Sequence, residues 1–212
     1  MPSGHEPNEK TSAQFNSHGI VGARLTAPRK PNWLWRKRNM WRNHMTATDL
    51  SQYIGQELFD QYTKISCIRN PFDRTVSLFN WKNRSHQHAY QSDKDMIAAF
   101  RDFVRAQKLM PDYDIVHVNG AFVPDLLVRF EHMREDLQRV ANKVKFKFAP
   151  ESMPHTKNLS SLRKGIHTAD FFDSASVDIV RKELAWMFER GHYPDSPQAQ
   201  NEIESDPLSA LE

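Results

Sequence analysis

The chain has 212 residues, 39% apolar and 26% charged, with a net charge of +3 and a single cysteine, Cys67. That length suits one domain with a real core, one cysteine excludes an internal disulfide, and no run approaches the roughly 20 apolar residues of a membrane span. The polar start, MPSGHEPNEK, carries no signal-peptide core, and together these features fit a cytoplasmic protein.

Residues 1–16 show no periodicity and read as a disordered N-terminus, ahead of a domain over 17–194 and a disordered acidic tail over 195–212. Ile20 to Leu25 reads as a short strand or an extended arm, and Pro28 and Pro31 break regular structure around them. No acidic residue occurs between Lys10 and Thr48, while the arm 24–43 interleaves Arg24, Arg29, Lys30 and the cluster Arg36-Lys37-Arg38 with Trp33, Trp35 and Trp41. Such an arm suits a polyanion, because arginine pairs phosphate or sulfate and tryptophan stacks. Two other readings stand beside it: a loop whose tryptophans pack on the domain, and a platform for stacking on a sugar.

Thr46 or Thr48 can cap a helix running to about Tyr62, with Leu50, Ile54, Leu58 and Tyr53 inward. His44 lies just before that cap. Ile65-Ser66-Cys67-Ile68 has the length and composition of a buried strand, with Cys67 a small buried hydrophobe. Arg69-Asn70-Pro71 ends it, since the residue before a proline avoids helical angles and proline suits the first helical position. Asp73 falls in the first turn of the next helix, whose Phe72, Val76 and Phe79 form one apolar stripe. Arg69 therefore stands at the carboxyl end of a strand, where open α/β sheets bind ligands, and the helix amides beside it favour an anion.

Asn83 to Asp93 is a polar loop whose His86 and His88 have no third ligand at metal spacing, so no metal is expected. Asp95 to Leu109 is an amphipathic helix with Ile97, Phe100, Phe103 and Val104 inward. Pro111 to Val123 is irregular around a short hairpin at Asn119-Gly120. Asp125 to Phe130 is a second strand, and a helix begins at Glu131. Thr168 to Asp173 is a short helix, and Val177 to Arg190 is another, with Gly191 its C-cap.

An arginine ending a strand, then Asn-Pro, then a serine eight residues after the arginine resemble the 3′-phosphate-binding motif of sulfotransferases; the matching residues are Arg69 and Ser77. By themselves they also read as a solvated strand-end charge and a helix-surface hydroxyl. Further matches favour the resemblance. V-R-F-E-H-M-x-E-D-L over 128–137 is similar to the family's R-F-E-x-L-x-x-D-F segment. Pro154-His155-Thr156-Lys157 with Arg163-Lys164 is similar to its P-H-x-x segment and following arginine, and F-F-D to F-E-R-G-H-Y over 171–193 to its C-terminal passage.

The resemblance is to the bacterial and Golgi-type carbohydrate sulfotransferase group. It implies an α/β, three-layer, P-loop-NTPase-like fold with a mostly parallel sheet flanked by helices. It also implies transfer of a sulfuryl group from 3′-phosphoadenosine 5′-phosphosulfate (PAPS) to a hydroxyl acceptor, a carbohydrate, with no nucleic-acid partner. In its terms Arg69 and Ser77 bind the 3′-phosphate, Lys157 and Arg163 are auxiliary phosphate contacts, and His44 is the general base; outside it, His44 reads as a helix-entry histidine. The family's first βα unit, whose loop and lysine grip the 5′-phosphosulfate, is not found: Lys10-Thr11-Ser12 echoes it at the wrong spacing with no strand before it. Two alternatives therefore stay open, a catalytically impaired protein of this fold and a polyanion-binding module using the arm 24–43.

Overall fold

The structure is a computed structural model that describes residues 44–85, 90–106, 109, 112–152, 163 and 165–198, and the backbone of 14–16 and 19–21. The chain divides into two compact units, 1–63 with 112–123 and 64–111 with 124–212.

In the first unit, strand β1 (Gln14–Asn16) pairs antiparallel with β2 (Gly19–Val21), with Phe15 opposite Ile20. The expected strand near Ile20 is thus found a few residues early, and its partner lies in a segment read as disordered. Helix α1 (Ala47–Ile54) starts where the threonine cap places it: Thr46 Oγ1 accepts from the Asp49 amide at 3.0 Å. It does not run on to Tyr62. Gly55 has φ 88, an angle glycine adopts freely, and the chain restarts as α2 (Gln56–Gln61). That break turns the helical phase, so Phe59 is buried while Leu58, expected inward, is 47% exposed.

Helix α5 is Tyr113–Val116, and β4 (His117–Val118) and β5 (Ala121–Phe122) form the hairpin expected at Asn119-Gly120. Both turn residues have positive φ, 50 and 79, as a tight two-residue turn requires. The His117 ring stacks on Tyr113 at 3.7 Å between centroids, and α1 packs against α5 and β4.

The second unit is built on β3 (Ile65–Ile68), which pairs parallel with β6 (Leu126–Arg129), Ile65 opposite Leu126 and Ile68 opposite Arg129. The arrangement is a mixed helix-and-sheet fold with a small parallel sheet; among the described residues that sheet has these two strands. Cys67 and Ile65 share a face of β3, and both are exposed rather than buried. The apolar run reads as fully buried, but only one face of it is covered among the described residues, and alternation puts Cys67 on the other.

Helix α3 (Pro71–Lys82) follows β3 directly and buries Phe72, Val76 and Phe79 as its stripe predicts. Helix α4 (Asp93–Arg105) opens with a capping box between Ser92 and Asp95 and buries Met96, Phe100, Phe103 and Val104. After β6, a single 3-10 turn (Phe130–His132) leads into α6 (Met133–Val144), so the α-helix begins two residues beyond Glu131. Helices α7 (Thr168–Phe171), α8 (Ser174–Glu183) and α9 (Ala185–Gly191) close the unit.

The long helix expected over Val177 to Arg190 is broken at Leu184, which ends α8 and begins α9. The left-handed C-cap is His192, φ 52, rather than Gly191, which remains inside the last turn. The core is aromatic: Phe100 meets Phe79, Phe171 and Phe172 edge-on at 5.5, 5.2 and 4.9 Å, and Phe72 meets Phe172 at 5.1 Å. Residues 195–198, assigned to the tail, form a turn whose Asp195 carbonyl accepts from Arg181. No helix among the described residues is long and apolar enough to cross a membrane.

Candidate functional site

Arg69 leaves the carboxyl end of β3 and is half-buried. Its guanidinium carbon lies 4.5 Å from the centroid of the Phe130 ring, a cation–π arrangement. Its Nε is buried and has no hydrogen-bond partner among the described residues. Burial is the main influence and draws its pKa below the ordinary arginine value; Asp73 and Glu131 oppose that, and the like charge of Arg163 adds to it. The group is a partly desolvated cation with an unmet donor, which an anion relieves.

The turn after it is tightly held. Asn70 Oδ1 accepts from the amides of Phe72 (2.9 Å) and Asp73 (3.4 Å), and the Asn70 amide donates to Glu131 Oε1 at 2.8 Å. This corrects the expectation that the N-terminal amides of α3 are open to an anion: Asn70 has taken two of them, so an anion here depends on side chains.

Asp73 projects from the first turn of α3. Its Oδ1 accepts from Arg163 Nη1 at 3.1 Å and from the Thr168 hydroxyl at 2.5 Å, and Arg163 Nη1 also reaches Thr168 Oγ1 at 3.0 Å. Ser77 lies one turn further along α3, on the same face as Asp73, and is half-buried. Beside the triad opens a pocket of about 480 Å³ whose walls include Asp73, Arg163, His167 and Thr168, a size suited to a small molecule.

Beneath the site, Arg129 and Asp136 fix the strand-to-helix junction that presents Phe130 and Glu131. Asp136 is 1% exposed and accepts from the Arg129 amide (2.8 Å), its Nε (3.0 Å) and its Nη2 (3.0 Å), and from Arg139. Burial by itself would raise the Asp136 pKa, but the hydrogen bonds from Arg129 and Arg139 outweigh it and hold the carboxyl down at about 2.

The sulfotransferase family model matches residues 14–182, which include both strands of the parallel sheet, Arg69, Ser77 and Arg163. The chain belongs to the sulfotransferase family. An uncharacterized protein of Archaeoglobus fulgidus is 27% identical to it over 105 residues, 47% of this chain and 82% of that protein. No solved structure matches.

Within the second unit the structure brings together Arg69, Asp73 and Arg163 as one cluster of interacting charges, with Ser77 on the flank of α3. Arg163 is tied to Asp73 and Thr168, so its Nη1 is already engaged. His44 belongs to the first unit, where it is exposed and adopts φ 55 just before the Thr46 cap. Lys157, the arm 24–43, Lys10-Thr11-Ser12 and the pair His86 and His88 lie outside the described residues. Among the described residues no group of three His, Cys, Asp or Glu could hold a metal.

Four residues of this region escape the sequence reading of the site: Asp73, Thr168, Glu131 and Tyr193. Asp73 reads there only as a favourable charge at a helix start. Its partner Arg163 is 90 residues away, and nothing in local spacing joins them.

Proposed function

We propose that the chain transfers a sulfuryl group from PAPS to a hydroxyl, and that the acceptor is a carbohydrate. The observation that carries this reading is the Arg69 guanidinium: half-buried at the carboxyl end of a parallel strand, stacked on Phe130, with its Nε lacking a partner among the described residues. A planar fork of donors matches the oxygens of a phosphate, and in this family's donor the 3′-phosphate is the group to be recognised. Ser77 supplies a hydroxyl from the same helix that Arg69 introduces. Arg163 and Lys157 are assigned auxiliary phosphate contacts.

The rest of the chemistry asks for alignment and electrostatic stabilisation rather than covalent help, because sulfuryl transfer resembles phosphoryl transfer. His44 is assigned the removal of the acceptor proton as general base. The three-layer, P-loop-NTPase-like arrangement belongs to the same proposal.

Titration calorimetry with adenosine 3′,5′-bisphosphate tests the reading. Wild type binds, and Arg69→Ala weakens binding by at least ~1.5 kcal/mol, the scale of a charge-assisted hydrogen bond. An Arg69→Ala affinity equal to wild type would remove the site. His44→Ala loses turnover and keeps donor binding; full activity in that variant removes His44 from the mechanism.

A further inference from the structure

Glu131 stands close enough for its charge to act on Arg69, yet it makes no ion pair with it. Elsewhere in this unit carboxylates do pair with arginines, at Asp73 with Arg163, Asp136 with Arg129 and Asp173 with Arg105. Here both carboxylate oxygens are engaged. Oε1 accepts from the Asn70 amide and Oε2 accepts from the Tyr193 hydroxyl, each at 2.8 Å.

Tyr193 is itself held in place. A Cβ at Gly191 would fall 2.3 Å and 2.5 Å from two carbons of the Tyr193 ring and 3.2 Å from Ile68 Cδ1, so the ring closes over a position only glycine leaves free. Ile68 is the last residue of β3, immediately before Arg69. The left-handed His192 turns the chain so that the phenol comes back towards the strand end. Burial, and then the Glu131 carboxylate, push the Tyr193 pKa well above the ordinary phenol value, so the hydroxyl remains a donor across the working pH range.

We infer that Tyr193 is a positioning residue that keeps the Glu131 carboxylate on the Asn70 amide and away from the Arg69 guanidinium, leaving Arg69 open to the 3′-phosphate of the donor. The inference rests on the function proposed above. Removing the phenol oxygen frees Glu131 Oε2, and a freed carboxylate beside a guanidinium competes with the phosphate for it. Replacing Glu131 by glutamine removes the competing charge while leaving an oxygen to accept from the Asn70 amide.

The test is calorimetric titration of the full chain with adenosine 3′,5′-bisphosphate and, in parallel, adenosine 5′-monophosphate. Tyr193→Phe weakens the bisphosphate about tenfold and leaves the monophosphate unchanged, because only the 3′-phosphate uses Arg69. Tyr193→Phe combined with Glu131→Gln restores bisphosphate affinity to within about twofold of wild type. A phenol that merely supports the fold would not be rescued by removing its own hydrogen-bond partner. Gly191→Ala displaces the ring with its hydroxyl intact and gives the same loss and the same rescue.

Bisphosphate binding that is absent in wild type, or unaffected by Arg69→Ala, overturns the assigned site and this inference with it. Binding that depends on Arg69 but is normal in Tyr193→Phe overturns the inference alone, as does a Tyr193→Phe loss that Glu131→Gln does not rescue. Should Tyr193→Phe melt below the titration temperature, Glu131→Gln alone decides: it binds the bisphosphate at least as tightly as wild type, and weaker binding overturns the inference.

Discussion

Asp136→Asn removes a charge that holds the floor of the site. The carboxylate is 1% exposed and takes three hydrogen bonds from Arg129 and one from Arg139. Breaking a buried pair by deleting one partner costs about 3–5 kcal/mol. The lower end applies, because the Arg129 and Arg139 side chains are 18% and 49% exposed and water can reach them, and because asparagine retains one oxygen for the Arg129 amide. The expected loss at pH 7 is about 3 kcal/mol.

Part of that loss depends on pH. With a folded pKa of about 2 and an unfolded value near ~3.9, the unfolded chain binds the proton more readily throughout the interval. Stability therefore rises with pH there; the contribution, about 2–3 kcal/mol, is complete above about pH 5 and lost as pH falls towards the folded pKa. About half of it is gone by pH 3. Urea unfolding of wild type and Asp136→Asn, followed by tryptophan fluorescence at pH 7 and pH 3, measures both. A gap under ~1 kcal/mol at pH 7, or one that does not narrow at pH 3, refutes the reasoning.

Phe100→Ala, at the centre of the edge-to-face cluster and 0% exposed, costs about 3–5 kcal/mol in the same assay; a loss below ~2 would mean the cavity collapses. Asn70→Ala removes the α3 cap and lowers stability by about 1 kcal/mol, read as a shift in the thermal melt. Asp73→Asn weakens the tie between α3 and Thr168 but takes a negative charge from beside Arg69 and Arg163. It therefore tightens adenosine 3′,5′-bisphosphate several-fold by calorimetry, and weaker binding would make Asp73 an organiser of the site instead.

What the sequence discloses here is what short-range physics decides. The threonine cap at Thr46, the apolar stripe of α3, the Asn119-Gly120 turn and the strand ending at Arg69 all follow from contacts within a few residues. The failures share a cause. Gly55 and Leu184 each interrupt a pattern that is periodic on both sides, and only the backbone angle at the break reveals it. Cys67 and Leu58 are apolar in composition, but their exposure depends on which face of a strand or helix is covered by distant chain. Arg69 is legible because a motif marks it; Asp73 with Arg163 and Glu131 with Tyr193, 90 and 62 residues apart, are joined by the fold alone.

The same distinction explains why a motif arginine is not yet a binding site. A guanidinium placed among carboxylates ordinarily pairs with one, as Arg129 and Arg163 do. Arg69 has Asp73 and Glu131 acting on it and pairs with neither: Asp73 is held by Thr168 and Arg163, and Glu131 by Asn70 and Tyr193. Its availability is thus a property of four neighbours that each occupy an acceptor, and nothing in the sequence marks any of them as a partner of those carboxylates. If Arg69 is the proposed phosphate site, weakening any one of those grips changes its affinity without touching it, which is why the rescue of Tyr193→Phe by Glu131→Gln discriminates between a site that is merely present and one that is kept open.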